Sequence, residues 1–298
     1  MKLAALAVAA SLVFAGAAPA RADDTLYTAE GYAIGMRVSR SYTVAAELEQ
    51  GALATLNGLL HGSELATLHV LIETPEEVAR DCGSADALAC YAANQMIVPG
   101  AQVEDGPPVP FLVAHEYSHH ILAHRRNDPW FASDWGTKRW ASVMRVCPAV
   151  RRGDLFLGYW TIPAEAFAQS YAAMLFPDVN YAWGYAFQLR PSDAAKTAIR
   201  EDVMRPWNGP AVTRVSGRLA RRGRRAMRLA LPLDGNAVFA VKASRRVELV
   251  LLDGRSVVAK AHGRRARVTT SVCGQRRLTL RLGAPEASTS YSLTMSRP

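Results

Sequence analysis

The chain has 298 residues, 50% of them hydrophobic and 20% charged, which is enough apolar content for one or two sizeable cores and too much for a mostly disordered protein. Its net charge of +9 is unevenly placed, because residues 208–298 hold 19 Lys and Arg against Asp234, Glu248, Asp253 and Glu286 while the remainder is net acidic. That contrast, with Trp207-Asn208-Gly209-Pro210 as punctuation, predicts a domain over 23–207 and another over 208–298.

Residues 1–22 read as a signal peptide: Lys2 gives a short positive start, Leu3 to Val13 is apolar, and Ala20-Arg21-Ala22 places small residues where a signal peptidase cuts. The apolar run is broken by Ser11 and ends in Gly16-Ala17-Ala18-Pro19, short of the roughly 20 residues a membrane anchor needs. No later segment is long and apolar enough to span a bilayer. The expectation is a secreted protein whose mature chain begins at Asp23.

From Ala29 to Leu60 the chain reads as mostly helical, with Ala and Leu at spacings of three and four from Val44 onward. Leu68 to Glu73 and Tyr91 to Val98 read as strands, separated by a loop carrying Cys82 and Cys90. Pro107, Pro108 and Pro110 set up a helix start, and FLVAHEYSHHILAH then runs without a breaker. Further helices are expected from Pro163 through Ala173 and from Ser192 to Met204. The first half is therefore predicted to be α+β.

Past Gly209, short alternating or β-branched runs at Val238–Val241, Val247–Leu252, Ser256–Ala259, Arg267–Val272, Leu278–Leu282 and Tyr291–Met295 predict a small all-β sandwich. Turn pairs such as Asp234-Gly235 and Asp253-Gly254 lie between them. The mature chain has four cysteines, an even count that reads as disulfides with three pairings open. Cys82 and Cys90 are near enough to close a small loop, leaving Cys147 to pair with Cys273 unless those two are buried free thiols.

His115-Glu116-Tyr117-Ser118-His119 is the strongest chemical signal. On a helix, positions i and i+4 share a face, so both imidazoles can hold one zinc ion while Glu116 reaches the water beside it. Two structural histidines are the plainer alternative. A catalytic zinc needs a third protein ligand. The position where a metzincin has its third histidine is Arg125, so that pattern fails, and His120, His124 and Asp134 are weaker candidates. Glu165 is favoured: it follows the helix-starting Pro163 and is flanked by alanines that permit close helix approach. Its alternative is a solvated first-turn carboxylate favoured by the helix dipole.

HEYSH followed by a later helix reading PAEAFAQSYA resembles the gluzincin group of zinc metallopeptidases. The resemblance implies a zincin-like domain, with His115, His119 and Glu165 as zinc ligands and Glu116 as general base for hydrolysis of protein or peptide substrates. The glutamate's surroundings are similar to those in secreted peptidases related to anthrax lethal factor, where a tyrosine shortly before the ligand stabilises the oxyanion. This implies that role for Tyr159, a buried packing aromatic being the alternative. It also implies that Tyr91 to Val98 is an edge strand against which an extended substrate adds.

The C-terminal half, with VELVLLDGRSVVA and a late Tyr291-Ser292-Leu293 strand, is similar to the bacterial pre-peptidase C-terminal β-sandwich. That resemblance implies an accessory domain rather than a catalytic one. Gly217 to Arg225 is its densest positive stretch, and an anionic cell-surface polymer is the partner such a stretch would take. No aromatic interleaves it to stack bases, so specific nucleic-acid binding is not expected, and a solvated face or linker is the plainer reading. The rival to an enzyme is a non-catalytic exported zincin-fold binding protein attached to an anionic surface by this half.

Overall fold

Where the sequence reads as helix, from Ala29 onward, the chain instead makes a strand. In the computed structural model, which describes residues 24–179, 189–274, 276–284 and 286–298, β1 (Asp24–Tyr27) pairs antiparallel with β2 (Ala33–Val38). Ile34, Met36 and Val38 alternate into the core with period two, and the helix α1 (Ala45–Gly58) starts only afterwards. The signal-peptide reading lies outside the described residues.

β3 (His69–Glu73) lies parallel to β2. The short helix α2 (Pro75–Asp81) follows, opened by a capping box between Thr74 and Glu77. Next come β4 (Cys90–Ala92) and β5 (Gln95–Pro99), so the single strand expected over Tyr91 to Val98 is a tight hairpin. Its turn residues Ala93 and Asn94 both have positive φ, a pairing that Asn tolerates and Ala does not advertise. The resulting five-stranded sheet has the order β1-β2-β3-β5-β4, with β4 at its edge.

The helix α3 (Val109–Ala123) packs against β5, β4 and α1. The small hairpin β6 (Arg126–Asn127) and β7 (Trp130–Phe131) leads into α4 (Ala132–Trp135), α5 (Lys138–Val143), α6 (Val146–Arg152), α7 (Pro163–Leu175) and α8 (Asp193–Met204). Helices on a mixed sheet around one core reaching from Ile34 to Val203 make this half α+β.

The second half is all strand: β8 (Ala211–Leu219), β9 (Arg224–Leu231), β10 (Gly235–Asp253), β11 (Ser256–Val272), β12 (Arg276–Gly283) and β13 (Thr289–Arg297). Val238–Val241 and Val247–Leu252 are parts of one strand, β10, and Ser256–Ala259 and Arg267–Val272 of another, β11, while Leu278–Leu282 and Tyr291–Met295 lie in strands of their own. β10 pairs with β11 along nearly its whole length, with β13 over Val238–Ala243 and with β12 over Glu248–Asp253. A bulge between Lys242 and Val247 separates those two stretches. The six strands thus form one sheet whose two leaves share β10 and β11 and enclose a single core from Leu219 to Met295. The positive stretch Gly217 to Arg225 is no linker: it ends β8, crosses between the leaves and begins β9, with Arg222 N donating to the Ala284 carbonyl and Ala284 N to that of Gly223.

Both disulfides form, Cys82–Cys90 and Cys147–Cys273, as suits an oxidising compartment. No helix among the described residues is long and apolar enough to cross a membrane.

Glu73, at the end of β3, is buried with its Oε2 lacking a hydrogen-bond partner. Burial, reinforced by the neighbouring Asp81 charge, pushes its carboxyl up to about 7. The folded state therefore holds this proton more tightly than the unfolded chain, so its contribution is full below the unfolded pKa and is lost as pH rises through about 7. Glu73→Gln is expected to be more stable than the parent at pH 8, with the difference shrinking toward pH 5, as urea unfolding at the two pH values will show.

Candidate metal centre

α3 is buried on nearly every side, from Phe111 through Ser118 and again at His120 to Leu122. Both α3 and α7 bury small residues, Ala114 and Ser118 on the first, Ala164, Ala166, Ala168 and Ala172 on the second, and small side chains let packed helices approach closely. The two helices pack together, and their contact aims Glu165, in the first turn of α7, at the two motif histidines.

Glu165 Oε2 lies 3.4 Å from His115 Nε2 and 3.5 Å from His119 Nε2. The three donor atoms all fall within 4.8 Å of one another. Tetrahedral zinc with bonds of about 2.0–2.1 Å spaces its ligand atoms about 3.3 Å apart, close to the two distances from Glu165 to the histidines. Two imidazoles and one carboxylate also match the ligand count that leaves a fourth position open, so the residues fit a zinc ion.

The electrostatics suit a cation. Burial raises the Glu165 pKa, yet hydrogen bonds and charge from His115 and His119 outweigh it and hold the carboxyl far below the usual range. Glu116 is the opposite case: burial, with a further push from Glu165 against the pull of His115, raises it to about 7. Tyr159 is not a buried packing aromatic. It is 52% exposed, and its hydroxyl donates to Glu165 Oε2 at 2.9 Å.

No protein-family model and no curated protein matches the chain. Several solved structures are similar to part of it, two bacterial proteins among them. The Yersinia pseudotuberculosis-derived mitogen is 10% identical, covering 30% of this chain and 87% of its own, with a TM-score of 0.25. Aeromonas hydrophila PliG, a periplasmic inhibitor of g-type lysozyme, is 9% identical, covering 31% and 90%, with a TM-score of 0.25. Likeness that slight carries no argument about fold or function.

The other candidate ligands lie outside the cluster. Asp134 is exposed on α4. Arg125, where a metzincin would have histidine, forms a buried ion pair with Glu64 at 2.9 Å. His124 bonds Thr67 and the His120 carbonyl.

His120 does something the sequence did not suggest. Its Nε2 meets the Glu64 carbonyl at 2.8 Å, and since a carbonyl cannot donate, Nε2 carries the proton and Nδ1 accepts from the Tyr91 hydroxyl at 3.0 Å. Burial lowers the imidazole pKa to about 4, keeping it neutral. This pair ties the β4–β5 hairpin to the helix that carries His115 and His119.

Between that hairpin and α7 runs a cleft of about 980 Å³, lined by His115, Glu116, His119 and Glu165 on one side and by Cys90, Tyr91 and Ala92 on the other. In a two-residue hairpin the residues flanking the turn, here Ala92 and Gln95, form a hydrogen-bonded pair, so the Tyr91 N–H and C=O point away from β5, out of the sheet edge. Tyr91→Phe, which leaves His120 Nδ1 buried without its donor, is expected to lower stability by about 1–2 kcal/mol. Guanidinium unfolding of the parent and the variant side by side measures it.

Proposed function

We propose that the protein is an exported zinc metallopeptidase, with a zincin-like catalytic domain of gluzincin type over residues 23–207 and a basic β-sandwich accessory domain over 208–298. The observation that supports this most is three metal-type donors within 4.8 Å of one another, lining with the buried Glu116 a cleft whose opposite wall is the edge strand β4.

His115, His119 and Glu165 would hold the zinc ion. Bound there, zinc supplies Lewis acidity and a water nucleophile of near-neutral pKa. Beside those ligands, Glu116 would take a proton from the attacking water at its carboxylate and pass it to the leaving amine. The Tyr91 peptide group binds the extended substrate backbone as an added strand, which fixes the scissile bond against the motif helix. Tyr159, half-exposed at the cleft, turns its hydroxyl from Glu165 toward the developing oxyanion. Trp160, also on the cleft wall and 57% exposed, favours substrates with apolar side chains.

The test is cleavage of a mixed peptide library by residues 23–298 folded in an oxidising compartment, with bound zinc counted. The parent is expected to carry one zinc and to cleave, and Glu165→Ala to lose metal and cleavage together. A folded parent that takes up no zinc sinks the metal site. A zinc-loaded parent that cleaves nothing sinks the peptidase and leaves a binding protein.

A further inference from the structure

The outer faces of the two leaves of the C-terminal sheet are built differently. Cross-strand register places Arg214, Ser216 and Arg218 of β8 opposite Thr294, Ser292 and Ser290 of β13. Thr294 and Ser292 in turn face Ala240 and Lys242 of β10, which face Arg267 and Arg265 of β11. Residues paired across strands point to the same face, and the alternate set, Val215, Tyr291, Leu293, Val241 and Ala266, fills the core.

The result is a track. β13 contributes a floor of hydroxyls, Ser290, Ser292, Thr294 and Ser296, flanked by Arg214 and Arg218 on one side and by Lys242, Arg265 and Arg267 on the other. With strands about 4.8 Å apart, the cationic rows on β8 and β10 stand about 10 Å from each other, wide enough for one polymer chain along β13. All five cations are exposed, and no Asp or Glu lies at these paired positions.

We propose that this face binds a linear anionic polysaccharide, sulfated or carboxylated. Hydroxyl groups both donate and accept, so the floor can meet sugar hydroxyls as well as charged oxygens, while the flanking rows neutralise the charge. No aromatic side chain stands at these positions to stack bases, and the strongly exposed apolar residues of this half are single and apart, Val212 near the start of β8 and Val257 near the start of β11, which disfavours nucleic acid and membrane. The opposite leaf is a built-in comparison. It shows Arg224, Arg228, Arg277 and Arg281, but Glu248 intrudes, paired with Lys260, and its middle strand β12 carries arginines rather than a hydroxyl floor.

The experiment measures binding of the full mature chain to dextran sulfate and to polygalacturonate across a salt series, with single-stranded DNA and anionic phospholipid vesicles in parallel. Replacing Arg214, Arg218, Lys242 and Arg265 by Ser is expected to weaken polysaccharide binding at least about 30-fold and to flatten the logarithmic salt slope by about 3. Removing the same charge from Arg224, Arg228, Arg277 and Arg281 is expected to change affinity less than about threefold. A milder pair, Ser292→Ala with Thr294→Ala, keeps every charge and is expected to weaken polysaccharide binding with the salt slope unchanged. Equal losses from the two four-site variants, no effect of the hydroxyl pair, tighter binding to DNA or vesicles, or no binding to either polysaccharide would each overturn the proposal.

Discussion

Glu116→Gln is expected to lower kcat/KM for peptide cleavage about a thousandfold, some 4 kcal/mol of transition-state stabilisation, while zinc stays bound at the parent stoichiometry. The substitution keeps the side chain's shape and removes only its ability to take a proton. Its burial makes the contrast clean, because a carboxyl raised to about 7 by desolvation gives up little when replaced by a neutral amide, so the fold should hold. Steady-state rates with zinc measured on the same sample decide the matter. Loss of zinc in this variant would make Glu116 part of the metal shell, and retained cleavage would assign the base elsewhere.

The helix carrying His115 and His119 was readable because i, i+4 spacing fixes relative position before any tertiary contact forms. The approach of Glu165 was readable for a related reason: Pro163 marks the first turn and the alanines around it leave room. The Tyr91–His120 bond was not, since it joins residues 29 apart through a hairpin whose turn, Ala93-Asn94, lacks glycine. Tyr159 was assigned by its distance along the chain from Glu165, a measure that says nothing of where a hydroxyl on a one-turn 3₁₀ segment points.

In the sheets, period and composition disagreed. β2 reads Ala-Ile-Gly-Met-Arg-Val, poor in β-branched residues, and its three inward side chains are too few to outweigh the Ala and Leu spacing that follows. β8 and β9 were hidden by arginine, whose charge draws attention to the outward positions. The inward set, Val215, Leu219, Leu229 and Leu231, carried the strand signal. The length of β10 was masked by polar Ser244-Arg245-Arg246 at its bulge, which reads as a break and is in fact the corner where one strand passes from leaf to leaf.

That architecture sets the second large expectation, removal of the Cys147–Cys273 disulfide. The two halves have separate cores, and the seam otherwise rests on polar contacts such as Asp234 N to Ser142 Oγ at 2.9 Å and Arg151 to Ser271 Oγ at 3.2 Å. It also rests on the close approach of Gly235, where an added Cβ would come within 2.9 Å of Lys138 Nζ. The cystine spans 126 residues, and the chain-entropy relation gives a cross-link of that span about 5 kcal/mol, against about 2.5 for the eight-residue separation of Cys82–Cys90. A Cys147→Ala, Cys273→Ala double variant should therefore lose more than Cys82→Ala, Cys90→Ala, and its loss should take a particular form. With the tether gone, each core is left to unfold by itself, so urea denaturation of the first variant should split into two transitions where the parent shows one. The second variant should keep a single transition at lower denaturant. One unsplit transition within about 1 kcal/mol of the parent would mean that the polar seam alone holds the halves together.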